Sequence, residues 1–349
     1  MNLKLFDKYN KIISMTFNSQ SPDTESLLLS FKDGYAYFNN ESMRGRVKIE
    51  KKDDIDDLCV IKNQFLVLSK LHNEIEIKDD VFYYGKNNFN FKKEMVDIEK
   101  VEIDKTKLKL LENFNTDENY KIIQEASNFI SINGAYNGLF IKNRILCSSD
   151  NECLYIRRFS FDEKFIINNT FLKILKYFNQ IKTNLPYKVY YYEDDIRTIN
   201  KKFVISIDNE IDIIINVNNE LQSPPIDDPG VISRMNIDSY ISCNSKDLLV
   251  SGNQLKSFGK LLVLIKIIDN QLSISFLDDI KVEQFVELKN KHNIEDDFEF
   301  CVDLEKLVLI LKSLENEDFI TIKVSKDSDF AIFSNSENNL KKITLSKYE

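Results

Sequence analysis

The chain of 349 residues has little of what most catalytic, metal-binding or secreted proteins need. Five cysteines (Cys59, Cys147, Cys153, Cys243, Cys301) form an odd, scattered set without a CxxC, and only His72 and His292 exist to help them, which argues against a structural zinc site and a disulfide framework. Eight glycines leave no GxGxxG. The nearest approach to a phosphate loop, Gly252 to Gly259-Lys260, has six residues between its glycines instead of four and no Ser/Thr after the lysine, so it reads as a helix end followed by a turn. No GxSxG, HExxH or EF-hand loop occurs, and the chain is read as a non-enzyme without cofactors or metal. No apolar run reaches the ~20 residues that cross a bilayer. Met1 to Asp7 lacks the basic region and apolar core of a secretory signal, so a cytoplasmic protein is expected. The acidic pairs Asp79-Asp80, Asp194-Asp195, Asp227-Asp228, Asp278-Asp279 and Asp296-Asp297 mostly sit between alternating apolar runs, where Asp favours turns by bonding its own backbone.

What the chain does have is a core and a repeat. With 43% hydrophobic and 30% charged residues it can bury a full interior, and a third of its length is about 116 residues, the usual size of one domain. Three segments share a hairpin pattern: Leu27 to Phe31 turning at Lys32-Asp33-Gly34 into Tyr35 to Phe38; Gly138 to Ile141 turning at Lys142-Asn143-Arg144 into Ile145 to Cys147; and Leu262 to Ile268 turning at Asp269-Asn270-Gln271 into Leu272 to Phe276. The turns lie about 110 and about 127 residues apart. Each hairpin follows a helix-like segment with apolar residues three and four apart: Tyr9, Ile12, Ile13; Ile122, Ile123, Ala126; and Leu248, Leu249, Leu255.

A second triplet follows the first. The strands Leu58 to Ile61, Phe165 to Ile167 and Phe300 to Val302 run directly into helices spaced by Phe65, Leu68, Leu71; by Phe171, Leu172, Leu175, Phe178; and by Leu304, Leu307, Val308, Leu311, Leu314. Short alternating strands come next: Ile75 to Ile77 and Val81 to Tyr84; Val189 to Tyr192 and Ile196 to Ile199; Ile320 to Val324 and Phe330 to Phe333. Each third therefore holds two βαβββ halves of about 58 residues, an α+β architecture. Boundaries fall in the charged stretch Lys92 to Lys109 and in Asn218 to Arg234, which carries Pro224, Pro225 and Pro229, giving domains 1–98, 99–222 and 239–349 with a linker at 223–238.

In this order and spacing the residues resemble the bacterial β sliding clamps, rings that tether a replicative DNA polymerase to its template. Tyr136-Asn137-Gly138-Leu139-Phe140 is similar to the strand opening of the family's second domain, Asp269-Asn270-Gln271-Leu272 to a turn in its third, and Phe300-Cys301-Val302-Asp303 with the following helix to its Phe-Asn-Val and Leu-rich helix. Two stretches depart. Where the family has Ala-Thr-Asp-Gly-His-Arg-Leu, this chain has Ser148-Ser149-Asp150-Asn151-Glu152-Cys153-Leu154, and the family's C-terminal Met-Pro-Met-Arg-Leu is replaced by Ile343-Thr344-Leu345-Ser346-Lys347-Tyr348-Glu349. The Asn-, Lys- and Ile-rich composition and the divergence suit a phage or another fast-evolving replicon.

The resemblance implies a three-domain homodimeric ring with helices inside and sheets outside, closed around double-stranded DNA and bound by the polymerase and the clamp loader through short linear peptides. Charge is consistent with this. A net charge of -9 argues against affinity built on phosphate neutralisation, whereas a threaded ring needs only a channel that does not repel. Lys8, Lys11, Lys70, Lys121, Lys173, Lys176, Lys256, Lys306 and Lys312 fall on the expected helices and are the DNA-facing candidates; Arg44, Arg46, Arg144, Arg157, Arg158, Arg197 and Arg234 fall outside them. The family's peptide pocket, between its second and third domains, maps to Tyr136, Leu154, Phe330, Ile343 and Leu345 with Ser149, Asn151 and Thr344 as polar neighbours, and its subunit boundary to Leu255 and Phe258. Two other classes compete: a β-rich structural or interaction protein with no DNA role, and an enzyme assembled from distant acids such as Asp150 and Asp194.

Overall fold

The computed structural model describes residues 12, 14, 26–40, 43–48, 55–61, 76–78, 81–84, 87–90, 103–104, 106, 108–131, 136–180, 186–192, 202–217, 223–224, 226, 235–259, 261–277, 282–289, 294, 298–315, 318–326, 328–335 and 341–348. Along the chain run β1 (Ser26–Lys32), β2 (Tyr35–Asn39), β3 (Met43–Lys48), β4 (Ile55–Ile61), β5 (Glu76–Lys78), β6 (Val81–Tyr84), β7 (Asn87–Asn90), β8 (Lys109–Leu110), α1 (Asp117–Ser127), β9 (Gly138–Lys142), β10 (Ile145–Ser149), β11 (Cys153–Arg158), β12 (Phe165–Asn168) and α2 (Asn169–Gln180). Then come β13 (Lys188–Tyr192), β14 (Lys202–Ile207), β15 (Ile211–Asn216), β16 (Tyr240–Asn244), α3 (Ser245–Lys256), β17 (Leu262–Ile268), β18 (Gln271–Phe276), β19 (Glu283–Glu287), β20 (Glu299–Asp303), α4 (Leu304–Leu314), β21 (Phe319–Lys323), β22 (Phe330–Asn335) and β23 (Lys341–Ser346).

The three expected hairpins are present, and their chemistry is that of tight turns. Asp33 and Gly34 (φ 52° and 78°), Asn143 and Arg144 (52° and 60°) and Asp269 and Asn270 (47° and 63°) all take positive φ, the geometry whose twist matches that of the flanking strands. Strands β12 and β20 run straight into α2 and α4, as the apolar spacing requires. Asp303 caps α4, its carboxylate accepting from the Lys306 N–H at 2.8 Å, and the apolar stripe Leu304, Leu307, Val308, Leu311 and Leu314 is buried. Asn244 caps α3, accepting from the N–H groups of Lys246 and Asp247. Of the first repeat's expected helices, Ile12 and Ser14 have helical backbone and Ile12 is fully buried; Tyr9, Ile13, Phe65, Leu68 and Leu71 lie outside the described residues.

The chain packs as two compact units, Met1–Asp117 with Ile167–Asn219 and Glu118–Ile166 with Glu220–Glu349. The first contains a sheet ordered β4-β1-β2-β3-β15-β14-β13-β8 and a second ordered β5-β6-β7. The other contains β12-β9-β10-β11-β23-β22-β21-β16, whose β12 ends beyond the unit's boundary, and β19-β18-β17-β20. The strand pairs at both joins are antiparallel, and the two eight-stranded sheets repeat one plan: the first half of one repeat is joined, third strand to last strand, to the second half of the next. The sequence pattern missed one of the joining strands, β15, together with its neighbour β14. It left β14 and β15 unassigned and placed a strand at Ile196 to Ile199, which lies outside the described residues.

Each join is locked by side chains. Where β3 meets β15, Arg46 stands opposite Asp212 and donates to its carboxylate through Nε (3.1 Å) and Nη2 (2.9 Å); the Ser206 hydroxyl donates to the other oxygen at 2.6 Å, and the Tyr35 ring lies under the guanidinium at 4.9 Å. In the second unit α3 and α4 approach closely because Gly252 has no side chain; an added Cβ would lie 3.1 Å from a Val308 methyl. The segment that superficially suggested a phosphate loop is therefore a helix contact, followed by a helix end at Gly259 (φ 71°). Gly252→Val should cost about 1–3 kcal/mol by forcing the helices apart. Thermal melting checks it: an unchanged midpoint would mean that α4 can shift freely.

Four cysteines, Cys147, Cys153, Cys243 and Cys301, are buried free thiols. Burial, then the charge of Asp247, pushes the Cys243 thiol up to about 12, and burial raises Cys153 and Cys301. A thiol raised in the fold contributes stability that is complete below its unfolded value of 9.0 and is lost as pH climbs through the folded one. The urea midpoint should therefore hold through neutral pH and fall above about pH 9. A midpoint that stays flat to pH 11 would contradict this.

Candidate partner-binding site

The site lies in the second unit, where β10 turns into β11 beside β23 and β22. The Ser149 hydroxyl donates to the Cys153 carbonyl (2.9 Å) and accepts from the Asn151 N–H (3.3 Å), while one oxygen of Asp150 accepts from the N–H groups of Glu152 (3.2 Å) and Cys153 (2.8 Å). Asn151 holds the left-handed conformation (φ 79°) that the turn demands, and asparagine tolerates it better than most residues with a Cβ. The other Asp150 oxygen accepts from Lys306 Nζ at 2.5 Å, with Glu152 3.8 Å away. Burial works against the Lys306 ammonium, but the hydrogen bond and charge of Asp150 outweigh it and raise its pKa. Glu152 in turn accepts from the Tyr348 hydroxyl at 3.2 Å, and its carbonyl from Ser346 N–H and Oγ–H, both 3.0 Å. The turn is thus tied to the first turn of α4 and to the last residues of the chain.

Register shows which predicted pocket residues share a face. Ser149, Leu154, Thr344 and Ile332 stand opposite one another across β10, β11, β23 and β22, and Phe330 stands opposite Ser346, two residues beyond Thr344. Thr344 Oγ1 accepts from the Leu154 N–H at 3.1 Å. Leu154 and Phe330 are half-buried, Asn151 is exposed, and Ser149 and Thr344 are nearly covered. Ile343 and Leu345 do not belong with them. Alternation along β23 turns both to the opposite face, where each is 0% exposed, so they are core and have no surface for a partner. Tyr136 is half-buried in the turn leading into β9. Beside Phe330 opens a cleft of about 240 Å³ with a mostly polar lining: Asn236, Ile237, Asp238, Ser239, Ser325, Ser328 and Asp329.

On the core face the sequence reading missed a charged cluster. Glu125 of α1 accepts from Arg157 (2.7 Å), Lys341 (2.8 Å) and the Tyr155 hydroxyl (3.2 Å), and Lys341 also donates to the Ser313 carbonyl at the end of α4 (2.6 Å). Burial, then the Glu125 charge, raises the Tyr155 pKa. The signal was available: Lys341 has the same strand parity as Ile343 and Leu345, so a core-facing lysine needed a buried carboxylate.

The lysines on helices divide by environment. Lys121, Lys176 and Lys312 are exposed, and Lys173 is half-buried. Lys256 pairs with Glu305 at 3.0 Å, and Lys306 is held by Asp150, so these two charges are already matched by carboxylates. Lys8, Lys11 and Lys70 lie outside the described residues. Among the described residues, no three His, Cys, Asp or Glu side chains converge as metal ligands, and Asp150, a candidate acid, is engaged by its own turn and by Lys306; Asp194 lies outside them.

No protein-family model and no curated protein matches the sequence. Solved structures do match along the full length. The β subunit of DNA polymerase III from Thermotoga maritima is similar with a TM-score of 0.71 and 15% identity, covering 99% of this chain and 97% of that one. The corresponding chain from Streptococcus pneumoniae gives 0.69 and 14% over 100% and 98%, and the DNA polymerase sliding clamp from Pseudomonas aeruginosa 0.68 and 11% over 100% and 98%. The chain has the bacterial sliding-clamp fold.

Within the clamp fold the expected boundary residues separate. Leu255 is 0% exposed, part of the protomer's own core under α3, and has no area to offer a second subunit, so its assignment to the interface is corrected. Phe258 is 55% exposed, with one ring edge against Phe276 at 5.9 Å. Leu261, Leu277 and Phe285, on or beside the strands of the four-stranded sheet, are also more than half exposed. Among the described residues, no helix is long and apolar enough to cross a membrane.

Proposed function

We propose that the chain is a DNA sliding clamp: a head-to-tail homodimeric ring of clamp domains 1–98, 99–222 and 239–349, with a linker at 223–238, that encircles double-stranded DNA in the cytoplasm. It holds the DNA polymerase there and is opened by a clamp loader, both docking through short linear peptides against the face that carries Leu154, Thr344 and Phe330. The observation that carries this reading is the sheet plan. Among the described residues two sheets have eight strands, whereas β19-β18-β17-β20 has four and β5-β6-β7 three; in this reading the two smaller sheets are halves of a third that is closed by a second copy. The exposed apolar side chains Phe258, Leu261, Leu277 and Phe285 cluster in sequence on the half-sheet that such a partner would cover. Net charge supports topological rather than electrostatic retention, with Lys121, Lys173, Lys176 and Lys312 softening the field on the helices.

Light scattering and electron microscopy test the assembly. The expected particle has twice the 40.9 kDa of one chain and is a hollow, six-lobed disc. Phe258→Asp, which places a charge where apolar area is to be buried, should give monomers while the protomer keeps its melting temperature. A wild-type protein that stays monomeric at micromolar concentration would overturn the ring.

A further inference from the structure

The face that carries Leu154 and Phe330 is charged unevenly, and strand register shows how. Three rows of residues cross β11, β23 and β22 on that face: Ile156, Lys342 and Ser334; Leu154, Thr344 and Ile332; and Glu152, Ser346 and Phe330. The last row is completed by the Ser346 N–H and hydroxyl, which both donate to the Glu152 carbonyl at 3.0 Å. Successive rows lie two residues, or about 7 Å, apart, so an extended peptide of about five residues would pass over all of them. The half-buried Lys342 marks one end of that path. The other end is acidic.

Glu152 is at the centre of the acidic end. Its side chain is 42% exposed; one oxygen accepts from the Tyr348 hydroxyl at 3.2 Å, and the other lies 3.8 Å from Lys306 Nζ, whose nearer partner is Asp150 at 2.5 Å. A single ammonium shared by two carboxylates leaves a negative charge. Asp303, whose carboxylate accepts from the Lys306 N–H at 2.8 Å, adds another. Groups in the turn respond to this field: burial raises both the Cys153 thiol and the Tyr348 hydroxyl, and the charges of Glu152 and Asp303 raise both further while Lys306 opposes them. Beside Phe330, Asp329 is exposed, among the described residues no hydrogen bond or ion pair engages its carboxylate, and it lines the cleft of about 240 Å³ together with Asp238. Cations at this end are fewer: besides Lys306 they are Lys326 and Lys347, and the Lys347 ammonium donates to the Ser325 carbonyl at 2.8 Å. A carboxylate that is half-exposed, held in orientation by Tyr348 and only distantly matched by Lys306 keeps lone pairs for a further donor.

Resting on the partner-site reading above, we propose that Glu152 is a specificity-determining residue of this face, and that the segment docking there carries a lysine or arginine beside its apolar anchors, at the end that meets Glu152, Phe330 and the cleft. Apolar contact with Leu154 and Phe330 supplies the anchoring. The charge selects which apolar segments are accepted, since an acidic residue at that place would face Glu152 and Asp329.

Selection from a phage-displayed library of random short peptides tests this, with wild type, Glu152→Lys and Leu154→Ala each immobilised. Wild type should enrich lysine or arginine next to apolar residues, Glu152→Lys should enrich aspartate or glutamate at that place, and Leu154→Ala should enrich neither. In titrations of the most enriched wild-type peptide, Glu152→Lys should weaken binding about ten-fold, and exchanging the peptide's basic residue for glutamate should restore its affinity for that variant. Glu152→Gln, which keeps an acceptor for Tyr348, should weaken it less and make binding less sensitive to salt. Wild-type peptides with no excess of basic residues, or the same basic peptides enriched on Glu152→Lys, would overturn the charge preference while sensitivity to Leu154→Ala leaves the partner site standing. Peptides indifferent to both Leu154→Ala and Phe330→Ala, or no enrichment on wild type, would overturn the partner site itself and the preference with it.

Discussion

Glu125→Ala is expected to lower the protein's stability by about 3–5 kcal/mol, the largest effect of any single substitution considered. Its carboxylate is the common acceptor for Arg157, Lys341 and Tyr155, and the Lys341 side chain is only 7% exposed. Removing it leaves the Arg157 and Lys341 cations without their shared carboxylate, although Lys341 keeps its hydrogen bond to the Ser313 carbonyl. Lys341→Met should cost less than half as much, since Glu125 keeps Arg157 and the methionine stem refills most of the lysine's volume. Urea denaturation of both variants checks the order. A Glu125→Ala protein within 1 kcal/mol of wild type would mean that the cluster is solvated and contributes nothing.

Leu154→Ala and Phe330→Ala should each cost at least about 2 kcal/mol of affinity for a polymerase-tail peptide, roughly thirty-fold, while the particle remains dimeric. Both side chains are half-buried on one face, and the backbone beneath them is fixed: Leu154 by the Thr344 hydroxyl and by pairing on both sides, Phe330 by hydrogen bonds between its backbone and the Ser328 hydroxyl. A rigid, partly exposed apolar pair is the kind of anchor point on which short peptides depend. Ile343→Ala, in contrast, should lower stability, because Ile343 lies on the core face. Calorimetric titration of the peptide distinguishes these outcomes: unchanged affinity in both surface variants would move the partner site elsewhere.

The difference between Leu154 and Ile343 also shows how far the sequence could be read. Local signals survived well. The hairpin turns at Asp33-Gly34, Asn143-Arg144 and Asp269-Asn270 and the helices spaced from Leu304 to Leu314 depend on residues close in the chain, and they stand where the pattern puts them. What was lost depends on partners far away. Strands β14 and β15 were missed because near-continuous apolar runs, buried on both faces, carry no alternation. The parity that separates Leu154 from Ile343 and Leu345 follows from a pairing about 190 residues apart. Lys306 looked like any helix-surface lysine until Asp150, 156 residues earlier, was placed beside it. Leu255 fitted the helix stripe and the expected boundary equally well, and only its complete burial decides for the core.

The central claim, retention by topology, is tested most directly on DNA of two shapes. Protein dissociated to monomers and allowed to reassociate in the presence of nicked circular plasmid is passed through a sizing column in high salt, before and after one restriction cut. The account predicts that the protein travels with the circle at a salt concentration that abolishes binding to short linear duplex, and leaves it once the circle is opened. Retention that is equal on circular and linear DNA, or that salt removes from both alike, would contradict it.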